Sequence, residues 1–287
     1  MEKSLIVAFA GGLGNQMFQY ALYRRLKKDG RQVKCVITND SDGPMPFSLD
    51  IFPSVSIDVV ESSLFYERKK EYENRSFLKK VIGKIMPWKK EFYFENENKV
   101  FDNNPFKMEK GIIYGYFQGV NYVDPIRDEL LEAFRFPEGE RKLIDLIRTL
   151  PPDAVSIHIR RGDYLELSNK FGGICTKRYY EKAMDYMKKL GYENFVFFSN
   201  DISWVKDNFK LKNAIYIEKT MFEEYQDWYD MSIMSRCSHN IIANSTFSWW
   251  GAWLNNNPDK VVISPPYFDN EHKNKQMVEK DWIIISG

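Results

Sequence analysis

Beyond Pro151-Pro152 the chain alternates short apolar runs with longer amphipathic ones, and that alternation constrains its folding more than any other feature. Strands are expected at Ala154–Ile159, Phe195–Ser199, Ala214–Ile217, Asn240–Ala243 and Val261–Ser264. Helices fit between them at Thr176–Leu190, Ser203–Phe209, Met221–Arg236 and Thr246–Leu254. In the first of these, Tyr180, Ala183, Met184 and Met187 form an i, i+3, i+4, i+7 stripe that Gly191 ends. Strands alternating with helices give parallel sheets of the doubly wound α/β kind. Ligands of such sheets bind beyond the carboxyl ends of the strands. A proline pair cannot continue a helix, so Pro151-Pro152 divides the 287 residues into domains 1–150 and 151–287.

The first half opens in the same manner. Leu5–Ala10 reads as a buried strand and Gly11-Gly12-Leu13-Gly14 as a tight turn. A helix is expected from Asn15 to Asp29, with Asn15 as N-cap and Gly30 as its stop. Val33–Thr38 then completes a βαβ unit. From Asp40 to Lys110 the sequence is polar and aromatic-rich without clean periodicity, with short helices around Ser62–Lys84. Ile112–Gln118 reads as a strand, and Pro125–Phe134 and Glu138–Leu150 as helices.

Hydrophobic residues make up 44% of the chain, enough to fill a core. A formal net charge of +1 without a basic stripe argues against a nucleic-acid partner. Basic residues are densest between Arg68 and Lys90, around Met86, Pro87 and Trp88. Either a solvated helix face or a patch resting on an anionic membrane fits that stretch. Cys35, Cys175 and Cys237 show no metal-ligand spacing and suit a reducing compartment, where cysteines sit as small apolar residues. No stretch approaches the ~18–20 apolar residues of a spanning helix. A first strand starting at Leu5 leaves no room for a signal segment, so the expectation is a cytoplasmic protein. The Asn39, Asn74 and Asn244 sequons are then expected to carry no glycan.

Three segments at strand ends carry chemistry. Gly11-Gly12-Leu13-Gly14-Asn15-Gln16 lets backbone N–H groups approach a phosphate or sugar closely, or is simply a tight βα turn. His158-Ile159-Arg160-Arg161-Gly162-Asp163-Tyr164 leaves a strand on which His158 and Arg160 share one face. Its guanidinium groups can clamp a diphosphate bidentately with no need of a metal, although a surface ion-pair cluster would look the same. Asn244-Ser245-Thr246-Phe247-Ser248-Trp249-Trp250 opens a helix whose hydroxyls add donors at its positive end, or supply an N-cap. Trp249 and Trp253 read as core. Between these segments, Asp201 either takes two N–H bonds from a purine edge or caps the next helix. Asp40-Ser41-Asp42 matches a metal-binding Asp-x-Asp by three residues only, amid ordinary turn residues, so no metal is expected.

These segments, in this order, resemble those of the bacterial α-1,2-fucosyltransferases, glycosyltransferase family eleven. The matches are Gly11 to Ala21, His158 to Tyr164, Phe198 to Asp201 and Asn244 to Trp253, with Asn169-Lys170-Phe171-Gly172-Gly173 and Tyr179-Tyr180 in support. The resemblance implies an α/β protein of GT-B fold, two Rossmann-like domains facing a central cleft. The N-terminal domain would take the acceptor side and the C-terminal one would hold GDP-L-fucose. It further implies inverting, metal-independent transfer to a galactose 2-hydroxyl of an oligosaccharide or lipid-linked glycan, without a cofactor. By the same analogy Arg160 would bind the β-phosphate with Arg161 assisting, His158 and Asp201 would recognise guanosine, and Ser245, Thr246 and Ser248 would contact phosphates. The turn Gly12, Gly14, Asn15 and Gln16 would face the fucose and acceptor, and residues 40–110 would help recognise the acceptor. Asp163 is the first candidate base and Glu166 the second, though either can serve only to orient the arginines. A lipid-linked acceptor is consistent with a loose association with the inner membrane. Another GDP-sugar transferase, or a noncatalytic sugar- or nucleotide-binding protein of the same fold, would share these features.

Overall fold

The computed structural model describes residues 4–38, 46–74, 91–273 and 276–287. Asp40, Asp42 and most of the basic stretch ending at Lys90 lie outside the described residues. The chain forms two compact units, residues 1–135 with 274–276, and residues 136–273 with 277–287.

The first unit is built on a five-stranded parallel sheet ordered β3-β2-β1-β5-β4. Its strands are β1 (Leu5–Phe9), β2 (Val33–Ile37), β3 (Val59–Val60), β4 (Phe92–Phe94) and β5 (Gly111–Tyr114). All five residues of β1 are buried, as a strand flanked on both sides and covered on both faces must be. The connecting helix runs Leu13–Lys28, two residues ahead of the expected start, and Gly12 rather than Asn15 is its N-cap. Arg25, Lys27 and Lys28 occupy its last turn, where cations meet the negative end of the helix dipole. The helix Ser62–Glu73 buries only Phe65. Strands β3 and β4 were not anticipated, because two or three residues are too short to display a period.

The second unit holds a six-stranded parallel sheet ordered β11-β10-β9-β6-β7-β8. Its strands are β6 (Val155–Ile159), β7 (Phe195–Ser199), β8 (Ala214–Tyr216), β9 (His239–Ile241), β10 (Val262–Ser264) and β11 (Ile283–Ile284). The chain winds outward through β6, β7 and β8, then returns to pair β9 with β6. The doubly wound arrangement expected from the alternation is therefore present, with its switch point between β6 and β9. The stripe Tyr180, Ala183, Met184 and Met187 on the helix Lys177–Lys189 is buried against this sheet. Trp249, Trp250 and Trp253 are fully buried. The rings of Trp249 and Trp253 stack at 6.1 Å, as expected for core residues one turn apart.

Two expectations are corrected. The division falls at Arg135/Phe136, ahead of the proline pair, because residues after it pack on the second unit. Phe136 stacks on Trp228 at 5.7 Å, and the Glu140 carboxylate accepts the backbone N–H groups of Glu223 and Glu224. The helix expected at Met221–Arg236 spans only Trp228–Met234, with a separate short turn at Lys219–Met221.

Candidate active site

The carboxyl end of β6 leads into the arginine turn. The register pairs Ile159 with Ser199, so the residues after β6 and β7 stand side by side. Arg160 donates from Nε to Asp163 Oδ1 at 2.8 Å and from Nη2 to Asp163 Oδ2 at 3.0 Å. Asp163 lies in the short helix Gly162–Glu166 that starts directly after Arg161. Arg161 donates its backbone N–H to Asn200 Oδ1 at 2.9 Å and its Nε–H to Asp201 Oδ2 at 3.2 Å. Glu166 is exposed at the end of the short helix.

Across the switch point, the hydroxyl of Tyr164 donates to the Asn244 carbonyl at 2.9 Å, and its ring stacks on Phe171 at 4.4 Å. The Asn244 amide in turn donates to the carbonyls of Phe171 and Phe268. Gly172 can only be glycine, since a Cβ there would lie 2.4 Å from the Ser168 carbonyl oxygen. These contacts close one wall of a cavity of about 150 Å³ whose rim carries Arg160, Arg161, Lys177 and Trp204. Three cations therefore border one cavity at the switch point, two of them paired with the carboxylates of Asp163 and Asp201.

Several residues assigned from the sequence take other places. His158 is 4% exposed, and burial, aided by the Arg160 charge, pulls its imidazole down to about 3, so the ring is neutral. It stands 5.9 Å from the Phe247 ring, and its Nδ1 has no hydrogen-bond partner among the described residues. Ser248 is 0% exposed and turned inward, accepting from Ala243 N at 3.2 Å and donating to the Ser245 carbonyl at 3.2 Å. Its hydroxyl closes the turn before the helix Thr246–Trp253 instead of facing outward. Ser245 is the N-cap of that helix and is buried; Thr246 is half-buried. Asp201 caps the helix Ile202–Asn208, accepting from Trp204 N at 3.2 Å, so its carboxylate serves the cap and Arg161 together.

In the first unit the glycine turn leaves β1 at that sheet's own switch point, between β1 and β5. Gly11 has φ of +75°, and a Cβ on it would fall 2.7 Å from Asn15 Nδ2. Asn15 Oδ1 accepts from Gln118 Nε2 at 2.9 Å. Gly14 is buried in the first turn of the helix, and Gly12 is half-buried. Gln16 is a correction: it is 2% exposed and does not face outward. Its amide donates to the Gly11 and Pro46 carbonyls and accepts from Ser48 N at 2.9 Å. Glu95 accepts from the backbone N–H groups of Tyr116 and Phe117 at 2.8 and 2.9 Å, holding the neighbouring turn.

Sequence reasoning missed Trp204, Gln118 and Glu95, and it left Asn200 and Tyr164 without a role. The one signal for Asn200 and Trp204 was proximity to a strand end; that this strand pairs with β6 is a fact of the tertiary structure.

A doubly wound parallel sheet of this order, with an arginine pair at its switch point, is a Rossmann-like domain. The chain belongs to glycosyl transferase family 11, whose model matches residues 3–286, and it is a glycosyltransferase. It is 33% identical to the O-antigen biosynthesis glycosyltransferase WbnK of Escherichia coli, across 96% of this chain and 98% of that protein. It is 35% identical to an Escherichia coli alpha-1,2-colitosyltransferase, across 98% of this chain and 99% of that one. Similarity extends to galactoside alpha-(1,2)-fucosyltransferase 2 of Gorilla gorilla gorilla at 24% identity, covering 85% of this chain and 67% of that protein. Among the described residues, no helix is long and apolar enough to cross a membrane.

Proposed function

We propose that this glycosyltransferase moves L-fucose from GDP-L-fucose to the 2-hydroxyl of a galactose-terminated glycan, with inversion and without a metal or cofactor. The observation that carries the reading is the arginine pair, Arg160 and Arg161, on the rim of one cavity at the β6/β9 switch point. Positive charge grows on the sugar ring as the bond to the diphosphate breaks, and negative charge grows on the departing GDP. Two prepositioned guanidinium groups stabilise that leaving group with little reorganisation. The acceptor hydroxyl attacks the opposite face, and positioning it there lowers the barrier further. Both Asp163 oxygens accept from Arg160, so we assign Asp163 the orientation of that arginine, and Glu166 stays a weaker candidate base.

Relatives whose names carry α-1,2 linkages and O-antigen synthesis support the linkage and a bacterial surface-polysaccharide acceptor. That role supports a cytoplasmic enzyme peripheral to the inner membrane. A second donor is favoured by one specific relative, the alpha-1,2-colitosyltransferase. Colitose is L-fucose without its 3-hydroxyl, so the same diphosphate cradle would serve its GDP-linked form.

The test is transfer from GDP-fucose and GDP-colitose to lactose, N-acetyllactosamine and galactose-terminated lipid-linked glycans, with and without EDTA, beside Arg160→Ala. An α-1,2-fucosylated product that survives EDTA and is lost in the variant supports the reading. Transfer of colitose alone replaces the donor, and loss with EDTA overturns the metal-free mechanism. Binding of GDP-fucose without turnover on any acceptor would make the chain a noncatalytic sugar-nucleotide binder.

A further inference from the structure

The turn after β7 grips Arg161 from several directions. Asn200 Oδ1 accepts its backbone N–H, and Asn200 Nδ2 sits 2.3 Å from where a Cβ on residue 162 would lie, so Gly162 lets the two turns nest. Asp201 accepts the Nε–H of Arg161 on Oδ2 and the backbone N–H of Trp204 on Oδ1, each at 3.2 Å. The Arg161 guanidinium carbon lies 3.8 Å from the centroid of the Trp204 ring. Arginine, aspartate and tryptophan thus close a triangle in which one carboxylate fixes both the cation and the residue beneath it.

We propose that Trp204 is a positioning residue for the donor: its indole holds the guanidinium of Arg161 so that the terminal N–H groups meet the diphosphate. This rests on the donor reading above. A guanidinium attracted to an indole face keeps its plane against the ring. With Nε committed to Asp201, rotation about the side chain's last bonds is also checked. Neither Nη group hydrogen-bonds to a described residue, so the fork that binds phosphate bidentately is presented ready for use. Rotamer freedom lost during folding need not be lost again during binding, and affinity rises accordingly. Trp204 borders the same cavity as Arg160 and Lys177, which puts the held fork beside the other cations.

Calorimetry with GDP and with guanosine, on wild type, Trp204→Leu, Trp204→Phe, Arg161→Ala and the Trp204→Leu/Arg161→Ala double variant, tests this. Trp204→Leu is expected to weaken GDP binding by about tenfold, and Trp204→Phe, which keeps a ring face, by less. Guanosine affinity is expected to be unchanged throughout, and the double variant to bind GDP no more weakly than Arg161→Ala. Equal losses for GDP and guanosine would make Trp204 a platform for the base and overturn the proposal, as would an unaltered GDP affinity in Trp204→Leu. A wild type that fails to bind GDP overturns the donor reading instead. The positioning is then decided by the Arg161 Nε–H resonance, displaced upfield by the indole in wild type. Its return to an ordinary position in Trp204→Leu is expected, and a resonance that stays put overturns the proposal.

Discussion

Asp163 holds Arg160 by both of its carboxylate oxygens, at 2.8 and 3.0 Å, from three residues further along the chain. The pair is partly solvent-exposed, so its contribution to folding is small. Its value lies in aiming a guanidinium. Asp163→Ala is therefore expected to lower kcat/KM for GDP-fucose by about 10- to 100-fold, with Asp163→Asn, which keeps one acceptor oxygen, falling between it and wild type. Steady-state kinetics across pH check this. If Asp163→Asn lost the acidic limb of the rate profile, Asp163 would be the base and not the orienter.

Ser248 offers a contrast. Its hydroxyl is wholly buried and bonded to the chain around Ala243 and Ser245. Ser248→Ala should lower stability by about 1–2 kcal/mol, read from a urea midpoint. GDP affinity is expected to change far less than in Arg160→Ala. A selective loss of GDP affinity at unchanged stability would return Ser248 to the phosphate.

Gln16 ties the glycine turn to the segment Pro46–Ser48 through three bonds to backbone groups. Gln16→Ala removes all three of these bonds, one of them buried and two half-buried, and is expected to destabilise the first unit by about 1–2 kcal/mol. Hydrogen exchange at Ser48 is expected to quicken. Unchanged protection there would show that the tie contributes nothing.

Two buried groups give opposite dependences on pH. His158 titrates at about 3 in the folded chain against an ordinary 6.5, because burial and the Arg160 charge disfavour the imidazolium. Between those values the unfolded chain binds the extra proton, so this contribution is full above 6.5 and is lost as pH falls toward 3. Burial raises the Asp230 carboxyl to about 7 from an ordinary 3.8, and there the folded state binds the extra proton. That contribution is full below 3.8 and is lost as pH rises through 7. Asp230→Asn should thus gain stability relative to wild type between about pH 5 and pH 8, on the order of a few kcal/mol. His158→Asn should flatten the acid side of the curve. Urea midpoints from about pH 3 to pH 8 decide both, and parallel curves would mean that neither group is perturbed.

The sequence by itself determined the doubly wound second sheet. The run Phe195–Phe198 is apolar, and Val, Ile and Ile occupy alternate positions of Val155–Ile159, because both faces of a central parallel strand are covered, and that requirement is written locally. The order of the motifs likewise revealed the family, and the arginine turn was visible because polar residues crowd a strand end. What the sequence could not decide was direction and partner. His158 and Arg160 were expected on one strand face, yet β6 ends at Ile159, His158 is buried beside Phe247, and Arg160 stands at the rim beyond the strand. Ser248 carries the same hydroxyl inward that Thr246 carries nearer the surface. Only the tertiary structure brings Trp204 beneath Arg161, because that contact depends on the register of β6 against β7, a relationship between segments forty residues apart. Local periodicity records which residues are buried; it holds no term for which neighbour they are buried against.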